Sequence, residues 1–272
     1  MIRKTIISIL ALLLCAEAMA ETVELTSFYK KVKGGYNFIA YVPPGARATD
    51  KLPVIFFLHG RSLTGSNLNM VTRYGCLNAL GKGVDINAIV VAPQTPVVGW
   101  EPDKLNATLS YVLGKFRGDP SRVYFIGLSM GGWGVLNMVQ TYPDKVAAAM
   151  AMCGGYAQDS IDGLLQVPLW IIHGIFDDVT PCTYSQNLVS KMMSSGKADR
   201  LLCDWPACGH GNLTSVFLLD ETYRWLMSHN LADPGRKVNR RFRITDDMIR
   251  SANSKLDKSK FRPLHITEYK DQ

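Results

Sequence analysis

The 272 residues include 30 Lys and Arg against 23 Asp and Glu, a formal net charge of +7, and 47% of them are hydrophobic. The length after a leader suits one α/β domain. The basic balance does not indicate nucleic-acid binding, because no binding motif accompanies it. Residues 231–272 hold 11 Lys and Arg and 6 Asp and Glu. The excess positive charge is therefore concentrated in this basic C-terminal extension.

Residues 1–20 have the pattern of a signal peptide. Arg3 and Lys4 precede the apolar run 6–14, and the segment ends in small residues suited to cleavage. The run is too short to span a membrane. Cys15 suggests lipoprotein processing as an alternative, but a leucine precedes it where a small residue is needed. The pattern favours a secreted or periplasmic protein whose main domain spans residues 21–230.

Apolar strands alternate with helix-like segments along this domain, after a β-hairpin at 23–42. Strands are predicted near 53–59, 88–93, 123–128, 146–153, 168–173 and 200–205. Helices are predicted near 66–80, 103–116, 131–141, 185–195 and 213–228. This alternation indicates an α/β fold with a mostly parallel, doubly wound sheet and helices on both faces. Only residues 156–166 separate the strands at 146–153 and 168–173, which leaves no room for a large lid.

The segment 123–132 reads as a strand, a Gly-x-Ser-x-Gly turn and the start of a helix. Such a turn holds its serine in a strained conformation with the side chain exposed, and its two glycines avoid collisions with the neighbouring strand and helix. The sequence therefore predicts Ser129 as a nucleophile. The amide of Met130, directly after it, is a predicted oxyanion donor.

A serine nucleophile needs a base and an acid that orients the base. Where the serine lies on a strand–turn–helix motif of this kind, the acid and then the histidine base follow it along the chain. Asp177 lies just past the strand at 168–173, and His210 lies on a glycine-flanked loop after the strand at 200–205. We predict Asp177 as the acid and His210 as the base, with Asp178 as the alternative acid on the same turn.

The other histidines have different interpretations. His59 and His173 end apolar strands, which indicates a structural role, whereas His229 and His265 are predicted at the surface.

The loop after the strand at 53–59 is predicted to supply the second oxyanion donor. We assign it to the Arg61 amide, with Gly60 as the fallback. Trp100 lies in a loop on the same side, either as a platform for an aromatic or sugar ring or as a packing residue under that loop.

Six motifs together resemble those of secreted serine esterases of the α/β-hydrolase superfamily, in the carboxylesterase, feruloyl-esterase and polyhydroxybutyrate-depolymerase-like group. They are Leu58-His59-Gly60, Asp119 to Tyr124, Gly127 to Gly132, Cys153-Gly154-Gly155, His173 to Pro181 and Gly209-His210. The resemblance covers about residues 24–229. It departs from the group at Arg61-Ser62-Leu63, where small residues are usual.

The resemblance implies a cofactor-free enzyme that cleaves carboxylic esters, with acyl or feruloyl groups on polysaccharide as expected substrates. A small-molecule ester is the other expected substrate. A prolyl-oligopeptidase-like peptidase and an inactive polysaccharide-binding protein with a hydrolase fold are the alternatives.

Five cysteines remain after residue 20, and their spacing does not suggest a zinc site. Cys182 follows the acid and Cys208 precedes the base, so a disulfide between them is expected if the two loops meet; pairs with Cys203 are the alternatives. The basic extension is expected to be solvated or loosely packed, with a helix at 244–258 capped by Thr245. Its charge also allows a weak contact with an anionic envelope or glycan.

Overall fold

The computed structural model describes residues 22–47 and 49–271, so the predicted signal peptide lies outside the described residues. The described chain forms one nine-stranded sheet in the order β8-β7-β6-β5-β3-β4-β2-β1-β9. The strands are Val23–Phe28 (β1), Asn37–Tyr41 (β2), Val54–Leu58 (β3), Ile89–Gln94 (β4), Val123–Leu128 (β5), Ala148–Met152 (β6), Leu169–Ile172 (β7), Leu201–Asp204 (β8) and Leu264–Glu268 (β9).

Helices cover the sheet on both faces. The α-helices of the described residues are Cys76–Gly81 (α1), Pro102–Phe116 (α2), Met130–Thr141 (α3), Thr183–Ser194 (α4), Asp220–Met227 (α5) and Asp246–Ser251 (α6). Short 3-10 helices lie at Arg61–Leu63, Leu68–Thr72, Pro143–Lys145, Leu164–Gln166, Ala198–Arg200, His210–Leu218, Pro234–Arg236 and Lys258–Lys260. None of the helices within 22–47 and 49–271 has the length and hydropathy needed to cross a membrane.

The sheet is mostly parallel, as the sequence pattern predicts. Strands β3 to β8 pair in parallel, and β2 is antiparallel to both β1 and β4. The parallel strands therefore end at one common edge, called here the carboxyl edge. In sheets of this kind, ligands bind at that edge.

Alternate residues of the central strands face opposite layers of the core. Phe57 and Ile126 pack with the residues of α1 and α5 on one face, whereas Phe56 and Phe125 pack with α2 and α3 on the other. All these strand residues are fully buried. This two-sided burial explains why the strands appear as unbroken apolar runs in the sequence.

Two predicted helices are interrupted. The segment 66–80 contains a 3-10 helix and α1, separated near Gly75, whose φ is +88°. A Cβ at Gly75 would lie 2.2 Å from the Phe57 ring, so the close approach to β3 requires glycine there. The segment 213–228 is likewise a 3-10 helix followed by α5, with extended backbone at Leu219.

Residues 231–271, called here the C-terminal segment, pack against the domain. Ile244 and Ile249 lie in the core cluster of α1 and α5. The Asn239 amide donates to His229 Nε2 at 3.0 Å, and the Arg262 amide donates to the Gly81 carbonyl at 2.9 Å. The prediction of a loosely packed extension is therefore wrong for these residues, and so is the surface position predicted for His229, which is 3% exposed.

The predicted helix of this segment is shorter than expected. It spans Asp246–Ser251 instead of residues 244–258, although Thr245 caps it by accepting from the Met248 amide at 3.4 Å. Strand β9 then pairs in parallel with β1 and extends the sheet. Apolar residues of the segment are spread too irregularly for a periodic pattern to reveal this packing.

Candidate active site

Ser129 occupies a sharp turn between β5 and α3 at the carboxyl edge. Its φ of 59° and ψ of −124° are rare for a residue with a side chain and cost about 1–3 kcal/mol. A Cβ at Gly131 would lie 1.9 Å from the Leu58 carbonyl oxygen, and one at Gly127 would lie 2.3 Å from the Gly131 carbonyl oxygen. The strained turn with its two required glycines therefore has the geometry that the Gly-x-Ser-x-Gly motif predicts.

Asp177 follows β7 and has a fully buried side chain. One carboxylate oxygen, Oδ1, accepts from the amides of Val179 at 2.9 Å and Thr180 at 2.7 Å. The other, Oδ2, lies 2.7 Å from His210 Nδ1. Asp178, the alternative acid, is exposed. The structure therefore brings Asp177 to the histidine.

Burial alone would raise the pKa of Asp177. Hydrogen bonds from the Cys153 thiol, the Thr180 amide, His210 and the Val179 amide outweigh it and hold the pKa of this carboxyl below its ordinary value. Asp177 is therefore charged at neutral pH, in contact with the imidazole. A charged acid in this position favours the tautomer of His210 that carries its proton on Nδ1.

His210 and Ser129 line one cavity of about 390 Å³. His210 begins the 3-10 helix His210–Leu218, and its side chain is 17% exposed. Because Nδ1 donates to Asp177, the lone pair of Nε2 is available to accept a proton. An imidazole that borders the same cavity as a serine can act as a general base toward it.

The loop after β3 lies against the serine turn. A Cβ at Gly60 would lie 3.4 Å from Ser129 Cβ. The Gly60 amide donates to the Tyr74 hydroxyl at 2.6 Å and is therefore engaged, whereas within the described residues no protein acceptor is found for the Arg61 or Met130 amide. Each of these two amides begins a helix, where backbone donors lack intrahelical partners. They suit the donor roles predicted for them.

Tyr74 was not among the predicted site residues. It lines the cavity of Ser129 and fixes Gly60, but it lies in an irregular segment with no motif around it. Burial raises the pKa of its phenol.

Trp100 has the surroundings of a packing residue and not of a substrate platform. It is 6% exposed, and its indole N–H donates to the His59 carbonyl at 3.2 Å. Its ring contacts Tyr36 and His59 edge-on and approaches Gly134 of α3. The platform role predicted for Trp100 is not compatible with this position. The structure therefore supports the packing role, the other of the two interpretations of the sequence.

His59 has the structural role predicted from its position at a strand end. Its Nδ1 donates to the Gly60 carbonyl at 2.7 Å, and its Nε2 accepts from the Thr95 amide at 3.3 Å. Burial lowers the pKa of His59 to about 4. The ring is therefore neutral at physiological pH, and its hydrogen bonds hold in place the loop that carries Arg61.

Cys153 and His173 both interact with Asp177, and neither lines the cavity. Cys153 directly follows β6 with a φ of 48°, and a hydrogen bond from its thiol lowers the pKa of Asp177. His173 Nε2 lies 2.9 Å from the Thr180 carbonyl and 3.3 Å from Asp177 Oδ2, and its Nδ1 lies 2.7 Å from the Ser185 hydroxyl. His173 thus has the predicted strand-end role and an unpredicted contact with the acid. Cys153 is more than the small buried apolar residue that its strand position suggests.

Cys153, His173 and Asp177 also form a group whose potential metal-ligating atoms all lie within 4.8 Å of one another. A metal ligand must be deprotonated, but burial and the neighbouring Asp177 carboxylate raise the pKa of the Cys153 thiol. Asp177 is saturated by its hydrogen bonds. Hydrogen bonding explains this group, and its chemistry does not fit a metal ion.

The predicted disulfide is absent. All five cysteines of the described chain, including Cys182 and Cys208, are free thiols. A Cβ at Gly174 would lie 3.2 Å from Cys208 Sγ, so this sulfur faces the end of β7. Cys182 instead stands at the start of α4. The acid and base loops are held together by the Asp177–His210 contact and by backbone bonds such as Phe176 N–H to Cys208 carbonyl at 3.1 Å.

Several large apolar side chains are exposed on the segments that follow β4 and β7 at the carboxyl edge. This apolar rim consists of Val97, Val98, Ile175, Phe176, Val179 and Tyr184. Tyr184 also contacts Trp133 of α3 edge-on, with ring centroids 5.5 Å apart. The link between β6 and β7 contains only the 3-10 helix Leu164–Gln166, so no lid domain covers the rim within the described chain.

No protein-family model and no curated protein matches this sequence. Solved structures share its fold. A thermostable esterase matches with a TM-score of 0.62 and 21% identity over 78% of this chain, which spans only 64% of that esterase. A ferulic acid esterase matches with a TM-score of 0.56 and 18% identity, over 75% of this chain and 95% of the other.

An α/β hydrolase from a deep-sea metagenome library of the Medee basin matches with a TM-score of 0.54 and 15% identity, over 74% and 96% of the two chains. Together with the sheet topology, these likenesses show that the chain has the α/β-hydrolase fold.

Proposed function

We propose that this protein is a serine hydrolase that cleaves carboxylic esters. The observation that carries the proposal is the 2.7 Å contact between His210 and the buried, charged Asp177, at a cavity that the strained Ser129 also lines. A fold alone does not determine function. The combination of nucleophile, base and acid at the carboxyl edge is the chemistry that acyl transfer requires.

In this mechanism Ser129 Oγ attacks the ester carbonyl carbon while His210 Nε2 takes its proton. Asp177 orients the imidazole and stabilises the imidazolium that forms. The amides of Met130 and Arg61 donate to the developing oxyanion. His210 then returns the proton to the leaving alcohol, and water hydrolyses the acyl-enzyme by the same route.

The open cavity and the apolar rim favour acyl groups with an apolar or aromatic part over long triglycerides that need a lid. The likeness to a ferulic acid esterase supports feruloyl or acyl groups on polysaccharide as the substrate class. The signal-peptide pattern of residues 1–20 supports action outside the cytoplasm.

The decisive test compares Ser129→Ala with wild type on p-nitrophenyl acetate. We expect the variant to lose activity by several orders of magnitude. Ser110→Ala is the matched control, because Ser110 is exposed on α2 and its hydroxyl donates to the Asn106 carbonyl of the same helix. Wild-type turnover by Ser129→Ala would contradict the assignment.

A panel of methyl ferulate, acetylated xylan and chromogenic peptides tests the substrate class. Peptide turnover without ester turnover would favour the peptidase alternative. Failure of wild type to react with a fluorophosphonate probe would favour the inactive binding protein.

A further inference from the structure

Arg61 carries the one permanent charge among the residues that line the Ser129 cavity. Apart from Arg61 and the titratable His210, the lining consists of glycine, apolar and hydroxyl-bearing residues. No aspartate or glutamate is among them. The residues that line the cavity therefore supply no negative charge to neutralise the Arg61 guanidinium.

The Arg61 side chain is exposed and unpaired. Within residues 22–47 and 49–271 it forms no ion pair and no side-chain hydrogen bond. The acid of the proposed catalytic group, Asp177, is buried, and its two oxygens are already engaged by His210, Val179 and Thr180. An anion that enters the cavity therefore does not compete with an internal carboxylate for Arg61.

The backbone of Arg61 is fixed close to the reacting atoms. Gly60 lies against Ser129 and is held by Tyr74, and the 3-10 helix Arg61–Leu63 follows directly. A guanidinium that starts from this position can reach a group attached close to the scissile carbonyl. It presents a planar set of donors that matches a carboxylate or a phosphate.

We propose that Arg61 makes the enzyme selective for carboxylic esters that carry a negative charge close to the ester bond. This inference rests on the proposed esterase function and names its substrate class. The charge sits on either the acyl or the alcohol part of the ester, and a separate pair of esters tests each position. The amide of Arg61 contributes to the reaction of every ester, whereas its guanidinium distinguishes anionic from neutral ones.

The test uses two matched pairs of esters. In the acyl pair, p-nitrophenyl hydrogen glutarate is compared with p-nitrophenyl pentanoate. In the alcohol pair, p-acetoxybenzoate is compared with p-acetoxybenzamide. The readout is the ratio of kcat/KM for the anionic ester to that for the neutral one, because intrinsic reactivities and effects on the shared amide cancel when wild type and variant are compared.

We expect Arg61→Gln to lower this ratio about tenfold in the pair whose charge reaches the guanidinium, since charge-assisted hydrogen bonds are roughly twice as strong as neutral ones. Arg61→Lys should lower it less, because the charge remains, and Arg61→Glu should lower it further. Raising the ionic strength should lower the wild-type ratio and leave that of Arg61→Gln unchanged.

Lys258→Gln is the control for net charge. Lys258 is exposed and precedes β9 in the chain. The first residue of β9 pairs with the first residue of β1, so this part of the chain lies at the edge of the sheet opposite Ser129. Its ratio should equal that of wild type. An unchanged ratio for Arg61→Gln in both pairs, with normal turnover of the neutral esters, would overturn this inference and leave the esterase function intact. Absence of wild-type turnover on all four esters would overturn both.

Discussion

Two buried aspartates lie at the ends of neighbouring strands, and their pKa values are shifted in opposite directions. Asp177 follows β7, and donors bond to both of its oxygens. Asp204 ends β8, and its Oδ2 accepts from the Trp170 indole at 3.0 Å and the Ile244 amide at 2.9 Å. Among residues 22–47 and 49–271, its Oδ1 is approached by the Arg243 guanidinium alone, 3.8 Å away. Hydrogen bonds lower the pKa of Asp177 despite burial, whereas burial raises the pKa of Asp204.

The number and spread of donors around a buried carboxyl group therefore determine the direction in which its pKa is shifted. A charged carboxylate can stabilise an imidazolium, so Asp177 suits a reaction. Asp204 instead joins β7, β8 and the C-terminal segment through Trp170 and Ile244. The two residues occupy similar places in the sheet, and their surroundings assign one to chemistry and the other to stability.

The largest expected effect is on activity. Asp177→Asn removes the charge that orients His210, so kcat/KM for p-nitrophenyl acetate should fall about 10³–10⁴-fold. The neighbouring Asp178→Asn, on the exposed side of the same turn, should stay within about twofold of wild type. Steady-state kinetics of the two variants measures the difference. Equal losses in both would show that the acid has been misassigned.

Substitutions of Cys153 test whether its thiol helps to keep the pKa of Asp177 low. Cys153→Ala removes a donor to Asp177, which should raise the pKa of that carboxyl and lower kcat about tenfold, the size of one hydrogen bond to a charged group. Cys153→Ser keeps a donor and should retain more activity. The kcat values of the two variants, with melting temperatures as a check on folding, measure the effect. An alanine variant as active as the serine variant would assign Cys153 to packing alone.

For Asp204 the expected effect is on stability. Asp204→Ala leaves the buried Trp170 indole N–H and the Ile244 amide without their acceptor, so the free energy of unfolding should fall by about 2–4 kcal/mol. Asp204→Asn keeps an acceptor oxygen and should cost less. Urea unfolding monitored by tryptophan fluorescence measures both. If the alanine variant were as stable as wild type, the C-terminal segment would have to be held by its apolar contacts.

The smallest effect is the pH dependence of stability, and it should have opposite signs at the two residues. Because the pKa of Asp177 is lowered, this residue stabilises the fold at pH values above its ordinary pKa of 3.8. That stabilisation is lost as the pH falls through the pKa of Asp177 in the folded protein. Because the pKa of Asp204 is raised, its contribution to stability is complete at pH values below 3.8. That contribution is lost as the pH rises through the pKa of Asp204 in the folded protein.

Unfolding free energies of wild type, Asp177→Asn and Asp204→Asn between about pH 3 and 7 test this. The advantage of wild type over Asp177→Asn should shrink toward acid pH, and its advantage over Asp204→Asn should shrink toward neutral pH. Slopes of the same sign would contradict the opposite pKa shifts of the two aspartates.

The proposed catalytic group was predictable because each member lies within a short motif of its own strand end. Ser129, Asp177 and His210 meet because parallel strands end at one edge, which the alternation of strands and helices already implies. Trp100, Tyr74 and the role of Cys153 were not predictable, because side-chain direction and contacts between distant loops decide them. The C-terminal segment was misjudged because its charge dominates its composition, while the few apolar residues that anchor it, such as Ile244, show no periodicity.

The pairing of β9 with β1 gives this protein an order of assembly. Val23 lies beside Leu264, so the outer side of β1 lacks its neighbour until residues 264–268 have paired with it. Before that pairing, the backbone donors and acceptors of β1 can pair with another unfolded copy, which is the usual route to aggregation of unprotected edge strands. Yield of native protein should therefore depend on chaperones that shield extended segments.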